Sequence, residues 1–278
     1  MKRHHTPEAD VRPPAVAGMF YPGDPEELSA ALRDLLGRST PGTPAGIRGV
    51  IAPHAGYAYS GMTAGRAYGR LGGGHYDTVV VIAPSHREYF EGVSVYPGRA
   101  YSTPLGTIPV DAVLREQLLA AAPFVRASAA GHGAEHAVEV HLPFLQAALG
   151  EFTLLPLVIG HQTPETCFGL GRALEAVLAG RGALIVASTD LSHFHDDGEA
   201  RALDSVVLDD VGRFDPRALM AHLEDGSAEA CGGGPAVAAL SALKSLGATH
   251  VDVTGYATSG DVTGDRRSVV GYMSAVAL

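Results

Sequence analysis

The sequence predicts an α/β fold, a mostly parallel or mixed central sheet with helices on both faces, and three observations predict it. Three short runs rich in β-branched residues, Val50-Ile51-Ala52, Val79-Val80-Val81-Ile82-Ala83 and Leu184-Ile185-Val186-Ala187, have the length and continuous hydrophobicity of strands buried on both faces. Helical patterns separate such runs, so strand, helix and strand repeat as βαβ units. Each run also stops at polar residues: Pro53-His54, Pro84-Ser85-His86, and Ser188-Thr189-Asp190 with His193 close behind. Ligands of parallel sheets bind outside the carboxyl ends of the strands, where these stops fall.

Taken in order, residues 1–11 are expected to form a flexible tail. Asp24 then caps a helix, with Pro25 at its first position, Glu26 and Glu27 in its first turn and Gly37 past its end. Leu28, Leu32, Leu35 and Leu36 give that helix one apolar face. A Pro/Gly loop follows over 39–46. After the His54 turn, a short helix is predicted over 62–71, leaving through Gly72-Gly73-Gly74 into the His86 strand. Alternating residues over 92–109, broken at Pro97-Gly98 and Pro104-Leu105-Gly106, predict a hairpin or an edge excursion. Asp111 caps a helix to Ala122. Residues 135–149 read as an amphipathic helix kinked or started near Pro143, 152–159 as a buried strand and 164–178 as a helix. Further helices are predicted over 199–211 and 216–223, with a polar surface turn at His193, His195, Asp196 and Asp197 before them. Cys231-Gly232-Gly233-Gly234-Pro235 opens a helix to Leu246, and strands over 251–258 and 268–276 close the chain.

Length and composition bound the function. The 278 residues are long enough for one large α/β domain, and no linker interrupts 1–278. Thirty acidic residues against 20 basic ones give a formal charge of −10, which repels a phosphate backbone, and no basic patch offsets it. Neither a nucleic-acid partner nor a membrane is expected: the apolar runs are too short to span a bilayer. Met1-Lys2-Arg3-His4-His5 lacks the apolar region of a signal peptide, and two cysteines, Cys167 and Cys231, fit a reducing compartment. The expected location is cytoplasmic.

His54 and His86, on what read as neighbouring parallel strands, are candidate ligands of a metal such as iron, zinc or copper. A lone histidine more often hydrogen-bonds a turn, but the repeated Ala-Pro-(Ser)-His design favours a site. Cys231 lies at a glycine-rich helix start that stabilises a thiolate. It reads equally as metal ligand, as nucleophile or as a small buried hydrophobe. Asp190 and His193 are candidates for an orienter and an acid/base, against the plainer reading of Asp190 or Ser192 as a helix cap. His136 and Glu139, spaced i and i+3, would share a helix face, with Glu135 and His141 flanking. Asp261 and Asp265 could hold a cation, although Gly-Asp turns usually need none. No phosphate-binding or dinucleotide motif is present.

Several stretches resemble the Memo family, whose prokaryotic members are called AmmeMemoRadiSam system protein B. They are Arg12-Pro-Pro-Ala-Val-Ala-Gly-Met-Phe-Tyr-Pro, Ala52-Pro-His-Ala-Gly-Tyr-Ala-Tyr-Ser-Gly, Ala83-Pro-Ser-His, Thr103-Pro-Leu-Gly-Thr-Ile-Pro-Val-Asp, Glu135-His-Ala-Val-Glu-Val-His-Leu-Pro-Phe-Leu-Gln, Ser188-Thr-Asp-Leu-Ser-His, Cys231-Gly and Thr258-Ser-Gly-Asp-Val-Thr-Gly-Asp. The resemblance implies the fold of class III extradiol ring-cleaving dioxygenases, whose iron is held by two histidines and a glutamate. His54 and His86 match the two histidines, His193 matches the acid/base, and Cys231 takes the carboxylate's place. A thiolate there shifts metal preference and puts ring cleavage in doubt. The implied cofactor is a mononuclear iron or copper ion. His136, Glu139, Tyr57 and Ser85 would line the pocket for a small molecule or peptide, and a radical-SAM system protein is an implied partner. The implied function is that of a metal-binding, dioxygenase-like redox protein; the alternative is a non-catalytic binding module or adaptor using the same pocket, as animal Memo proteins are reported to do with phosphotyrosine peptides. A metal-free hydrolase with Cys231 as nucleophile is a third reading.

Overall fold

Valines, isoleucines and leucines at successive positions of the central strands point alternately to the two sides of one sheet, and each side has its own core. In the computed structural model, which describes residues 10–37, 46–72 and 74–278, strands β2 (Gly49–Ala52), β3 (Thr78–Pro84), β8 (Thr153–Ile159) and β9 (Ala183–Ser188) run parallel in the order β2-β9-β3-β8. Val79, Val81, Val50, Leu184, Val186 and Leu154 face one core; Val80, Ile82, Ile51, Ile185, Ala187 and Leu155 face the other. This is the two-sided burial that the uninterrupted apolar runs predicted.

Antiparallel strands flank the parallel centre, so the sheet is mixed. β12 (Val269–Ala277) pairs with β2 on one side, and β10 (His193–His195) and β11 (Val251–Thr258) pair with β12. On the other side β4 (Val93–Val95) pairs antiparallel to β8 and parallel to β7 (Val125–Ala127). Helices α1 (Pro25–Gly37), α2 (Tyr57–Tyr68) and α4 (Leu142–Leu149) cover the first face, and α3 (Ala112–Ala121), α5 (Pro164–Leu178), α6 (Asp197–Gly212), α7 (Pro216–Asp225) and α8 (Gly233–Ser245) the second. Asp24 and Asp111 cap α1 and α3 as predicted, their carboxylates accepting backbone N–H bonds. Among the described residues no helix is long and apolar enough to cross a membrane.

Five local expectations are corrected. The tail ends sooner than residue 11: residues 1–9 lie outside the described residues, but Val11–Arg12 is a strand, β1, paired in parallel with β5 (Ala100–Thr103). Only the second half of 92–109 is a hairpin, β5 with β6 (Gly106–Pro109); β4 joins the main sheet. Helix α2 starts at Tyr57, five residues before the predicted start. Residues 135–138 are not helical, because the Glu135 carboxylate accepts the N–H groups of His136 (2.8 Å) and Ala137 (3.0 Å), a local bond that competes with the helix. A 3-10 turn over Glu139–His141 then leads into α4, which starts at Leu142, next to Pro143, as the second reading of this stretch had it. The polar run at His193 is strand β10, and Asp196 caps α6. The loop predicted over 39–46 and Gly73 fall largely outside the described residues. Asp261 is the third residue of α9 (Ser259–Thr263), where it accepts the N–H of the capping Thr258 and a two-pronged bond from Arg201, while Asp265 pairs with Arg267, so arginines neutralise the turn suggested for a cation.

Candidate metal centre

Strands β2 and β3 are not neighbours, contrary to expectation: β9 lies between them. Two strand spacings would separate His54 and His86 by about 10 Å. The segments beyond the strands close that gap, bringing the two rings to 5.0 Å between centroids, and His136 joins them at 5.4 Å from His54 and 5.0 Å from His86. One nitrogen from each of His54, His86 and His136 lies within 4.8 Å of the others, a group that could hold a metal ion. His136 thus arrives from the irregular segment before α4 as a third imidazole of the cluster.

The intervening strand β9 supplies the supports. Its last residue, Ser188, donates its single hydroxyl proton to the Ala137 carbonyl at 2.7 Å. Its oxygen therefore accepts from His54 Nδ1, also at 2.7 Å, leaving His54 Nε2 with a free lone pair. Glu135 acts likewise on His86: Oε1 lies 3.0 Å from Nδ1 and Oε2 accepts the His86 backbone N–H. A carboxylate only accepts here, so the His86 Nδ1 carries the proton and Nε2 is free to ligate. His136 Nδ1 lies 3.2 Å from Glu135 Oε1, outside hydrogen-bond geometry, and among the described residues His141 Nε2 is buried without a hydrogen-bond partner, its other nitrogen meeting Tyr68. Three imidazole nitrogens converging in this way suit a transition-metal ion.

Burial keeps two of the three imidazoles neutral. Burial, reinforced by the other imidazoles, pushes His54 well below the ordinary histidine range. Burial likewise brings His136 to about 4, against the opposing pull of Glu135. Both are unprotonated at neutral pH, the form that binds metals.

Cys231 sits just before α8, where the glycine run brings it against the end of β9. Its Sγ is 3.2 Å from His54 Nε2 and 3.6 Å from the Asp190 carbonyl, and the Asp190 N–H points at it from 3.3 Å. Burial and then the Asp190 carboxylate push the thiol up, so it holds its proton at neutral pH in the absence of a cation. Gln162 clamps the turn, donating to the Cys231 carbonyl and accepting from the Gly234 N–H. A Cβ at Gly232 would lie 1.9 Å from the Ser188 carbonyl oxygen and 2.8 Å from Thr189 Cβ. Gly232→Ala must therefore push the Cys231 turn off β9; it is expected to cost about 1–3 kcal/mol of stability and to lower bound metal, read from denaturation midpoints and elemental analysis.

Asp190 caps no helix. Its Oδ1 accepts the backbone N–H of His54 (2.8 Å) and of Ala55 (3.4 Å), and burial raises its carboxyl to about 7 in spite of those bonds. His193 Nδ1 meets the Leu191 carbonyl at 2.7 Å, which fixes the proton on Nδ1 and leaves Nε2 as a base; burial lowers its pKa.

Three residues expected to line the pocket are engaged elsewhere. Glu139 is fully buried and takes four donors: Arg12, the Ala15 and Val16 N–H groups, and the Tyr21 hydroxyl. The helical spacing that placed it beside His136 does not exist. Tyr57, turned inward on the first turn of α2, donates to the Val140 carbonyl and packs on Tyr21 and Phe144. Ser85 closes the turn after β3 by donating to the Glu88 carbonyl. The supporting roles of Ser188 and Gln162 were missed. A polar residue ending an apolar strand was the only available signal for Ser188, and nothing near Gln162 in the chain pointed to Cys231.

Comparison with known proteins agrees with the residue-level resemblance. The family of Memo-like proteins matches residues 12–276. A MEMO1 family protein of Methanothermobacter thermautotrophicus is 40% identical over 272 residues, covering 94% of this chain and 98% of the relative. One from Aquifex aeolicus is 40% identical over 269 residues, covering 96% and 99%. The crystal structure of the uncharacterized protein JW3007 from Escherichia coli K12 superposes with a TM-score of 0.52 over 82% of this chain and 99% of that one, at 17% identity, a likeness of fold. With the family matched across almost its whole length and relatives sharing two residues in five, this chain belongs to the Memo family.

Proposed function

We propose that the histidine cluster is a mononuclear metal centre holding iron or copper through His54, His86 and Cys231, with His136 beside them, and that the protein uses it for redox chemistry on a small molecule with O₂. The observation that carries this reading is the convergence of three imidazoles, two of them with Nδ1 tied to Ser188 or Glu135 so that Nε2 stays free. The sulfur adjoins the free Nε2 of His54 at 3.2 Å, so a cation taking the place of the thiol proton would meet nitrogen and sulfur together. A metal so bound would supply one-electron and Lewis-acid chemistry. His193 Nε2 takes up or returns a proton at the cluster, and Asp190 holds the His54 turn in place through its backbone N–H bonds. A single domain spanning the chain serves this centre, and the reducing cytoplasm suits its free thiols. A radical-SAM system protein is the partner suggested by the family's prokaryotic name.

The test is elemental analysis of anaerobically purified protein. Wild type is expected to hold close to one metal ion per chain, with His54→Ala and Cys231→Ser each losing most of it. Equal content in all three would remove the site. Bound metal together with O₂ uptake on a panel of catechols would support an oxygenase, and bound metal with no uptake on any reductant would support a binding module.

A further inference from the structure

Phe194, the residue after His193, departs from ordinary behaviour in three ways. Its φ is +66°, the left-handed region that aromatic residues rarely adopt. Its side chain is 78% exposed. It is also the extra residue of a β-bulge: His193 pairs with Val270 and His195 with Val269, so Phe194 has no partner across the ladder.

Among the described residues one other non-glycine has a positive φ, Phe214, and the comparison separates the two. Phe214 is 5% exposed, inside the second core, with its carbonyl bonded to Lys244, so burial offsets its backbone conformation. Among the described residues no burial or hydrogen bond of that kind offsets the conformation of Phe194. A bulge re-aims a side chain, and here it sets the phenyl ring edge-on to the His193 imidazole, 5.6 Å between centroids. His193 follows three residues after Asp190, whose carboxylate accepts the His54 backbone N–H at 2.8 Å. The exposed ring thus stands beside the candidate base, on the segment that ties Asp190 to the His54 turn.

We propose that Phe194 is a ligand-contact residue: it grips the outer, apolar part of a ligand whose polar head reaches the histidine cluster. The inference rests on the metal-centre reading only for how the head binds. Local strain held by an exposed aromatic is accounted for when a bound molecule covers the ring, since burial of that face is recovered only in the complex. The ligand class is a small molecule with a metal-binding head and an apolar alkyl or aryl substituent.

The test uses two hydroxamates that share a head: acetohydroxamate, with a methyl group, and hexanohydroxamate, with a five-carbon chain. Their Kd values are measured by calorimetry on iron-reconstituted wild type, Phe194→Gly and Phe194→Trp. Glycine adopts this φ without strain, so the bulge persists and only the ring is removed. Wild type is expected to prefer the longer chain at least tenfold, Phe194→Gly less than threefold, and Phe194→Trp as wild type, with acetohydroxamate affinity within twofold in all three. Binding of acetohydroxamate with a chain preference that is absent or insensitive to Phe194→Gly overturns the role of Phe194 and leaves the metal centre standing. Phe194-dependent binding of hexanohydroxamate alone supports the ring contact and overturns the metal-bound head. Binding of neither overturns both.

Discussion

Glu139→Ala is expected to destabilise the protein by about 3–5 kcal/mol, the cost of leaving a buried charge without its partner. Arg12 is 3% exposed and Glu139 is fully buried, so neither side chain can turn to water. Arg12 also donates to the backbone carbonyls of His132 and Glu135 and lies over the Tyr101 ring, which ties the amino-terminal strand to the segment carrying His136. Removing the carboxylate orphans the guanidinium, the Ala15 and Val16 N–H groups and the Tyr21 hydroxyl together. Urea denaturation checks the size of the effect. The double variant Arg12→Met with Glu139→Leu separates charge from packing and is expected to recover more than half of the loss; no recovery would mean that the backbone contacts dominate.

Glu135→Ala is expected to lower metal affinity about 10- to 100-fold, the usual effect of removing a group that orients a ligating histidine. Glu135 is 2% exposed and receives His86 Nδ1 and three backbone N–H groups, those of His86, His136 and Ala137. Those bonds outweigh burial and hold its carboxyl at about 2, below the ordinary 4.5. The sign follows from linkage. A carboxyl with a depressed folded pKa contributes stability that is complete above about 4.5 and lost as the pH falls towards 2, roughly 3 kcal/mol over that window. Metal-free wild type should therefore weaken between about pH 4.5 and 2 more steeply than metal-free Glu135→Ala, in denaturation midpoints taken across that range. Parallel curves would show that Glu135 does not carry the acid sensitivity. Competition with a chromogenic chelator at neutral pH measures the affinity change.

Much of the architecture was legible because strand and helix signals are local. The runs at Val50, Val79 and Leu184 are strands because their length and two-sided hydrophobicity suit little else, and Asp24 and Asp111 announce their helices by capping chemistry. The His54 and His86 turns were legible for the same reason: proline ends the strand and a polar residue follows. Where local chemistry was misread, competition with the backbone explains it. The spacing of His136 and Glu139 suits a helix face, but the Glu135 carboxylate takes the N–H groups of the next two residues and the helix begins later.

Strand order cannot be read from local pattern, and it decides the site. The sequence by itself determined that strands end in histidines and an aspartate, that Cys231 opens a helix through a glycine run, and that the chain carries the motifs of the Memo family. Only the tertiary structure placed β9 between the two histidine strands, so that Ser188 fixes the tautomer of His54 and Asp190 faces Cys231. It also sent Glu139 into a buried ion pair while bringing His136 to the other imidazoles. The physical reason is range. Capping, turn and strand propensities act over a few residues, whereas the partners of a buried donor or acceptor are set by whichever group the packed sheet brings within 3 Å, here across 134 residues between His54 and Ser188.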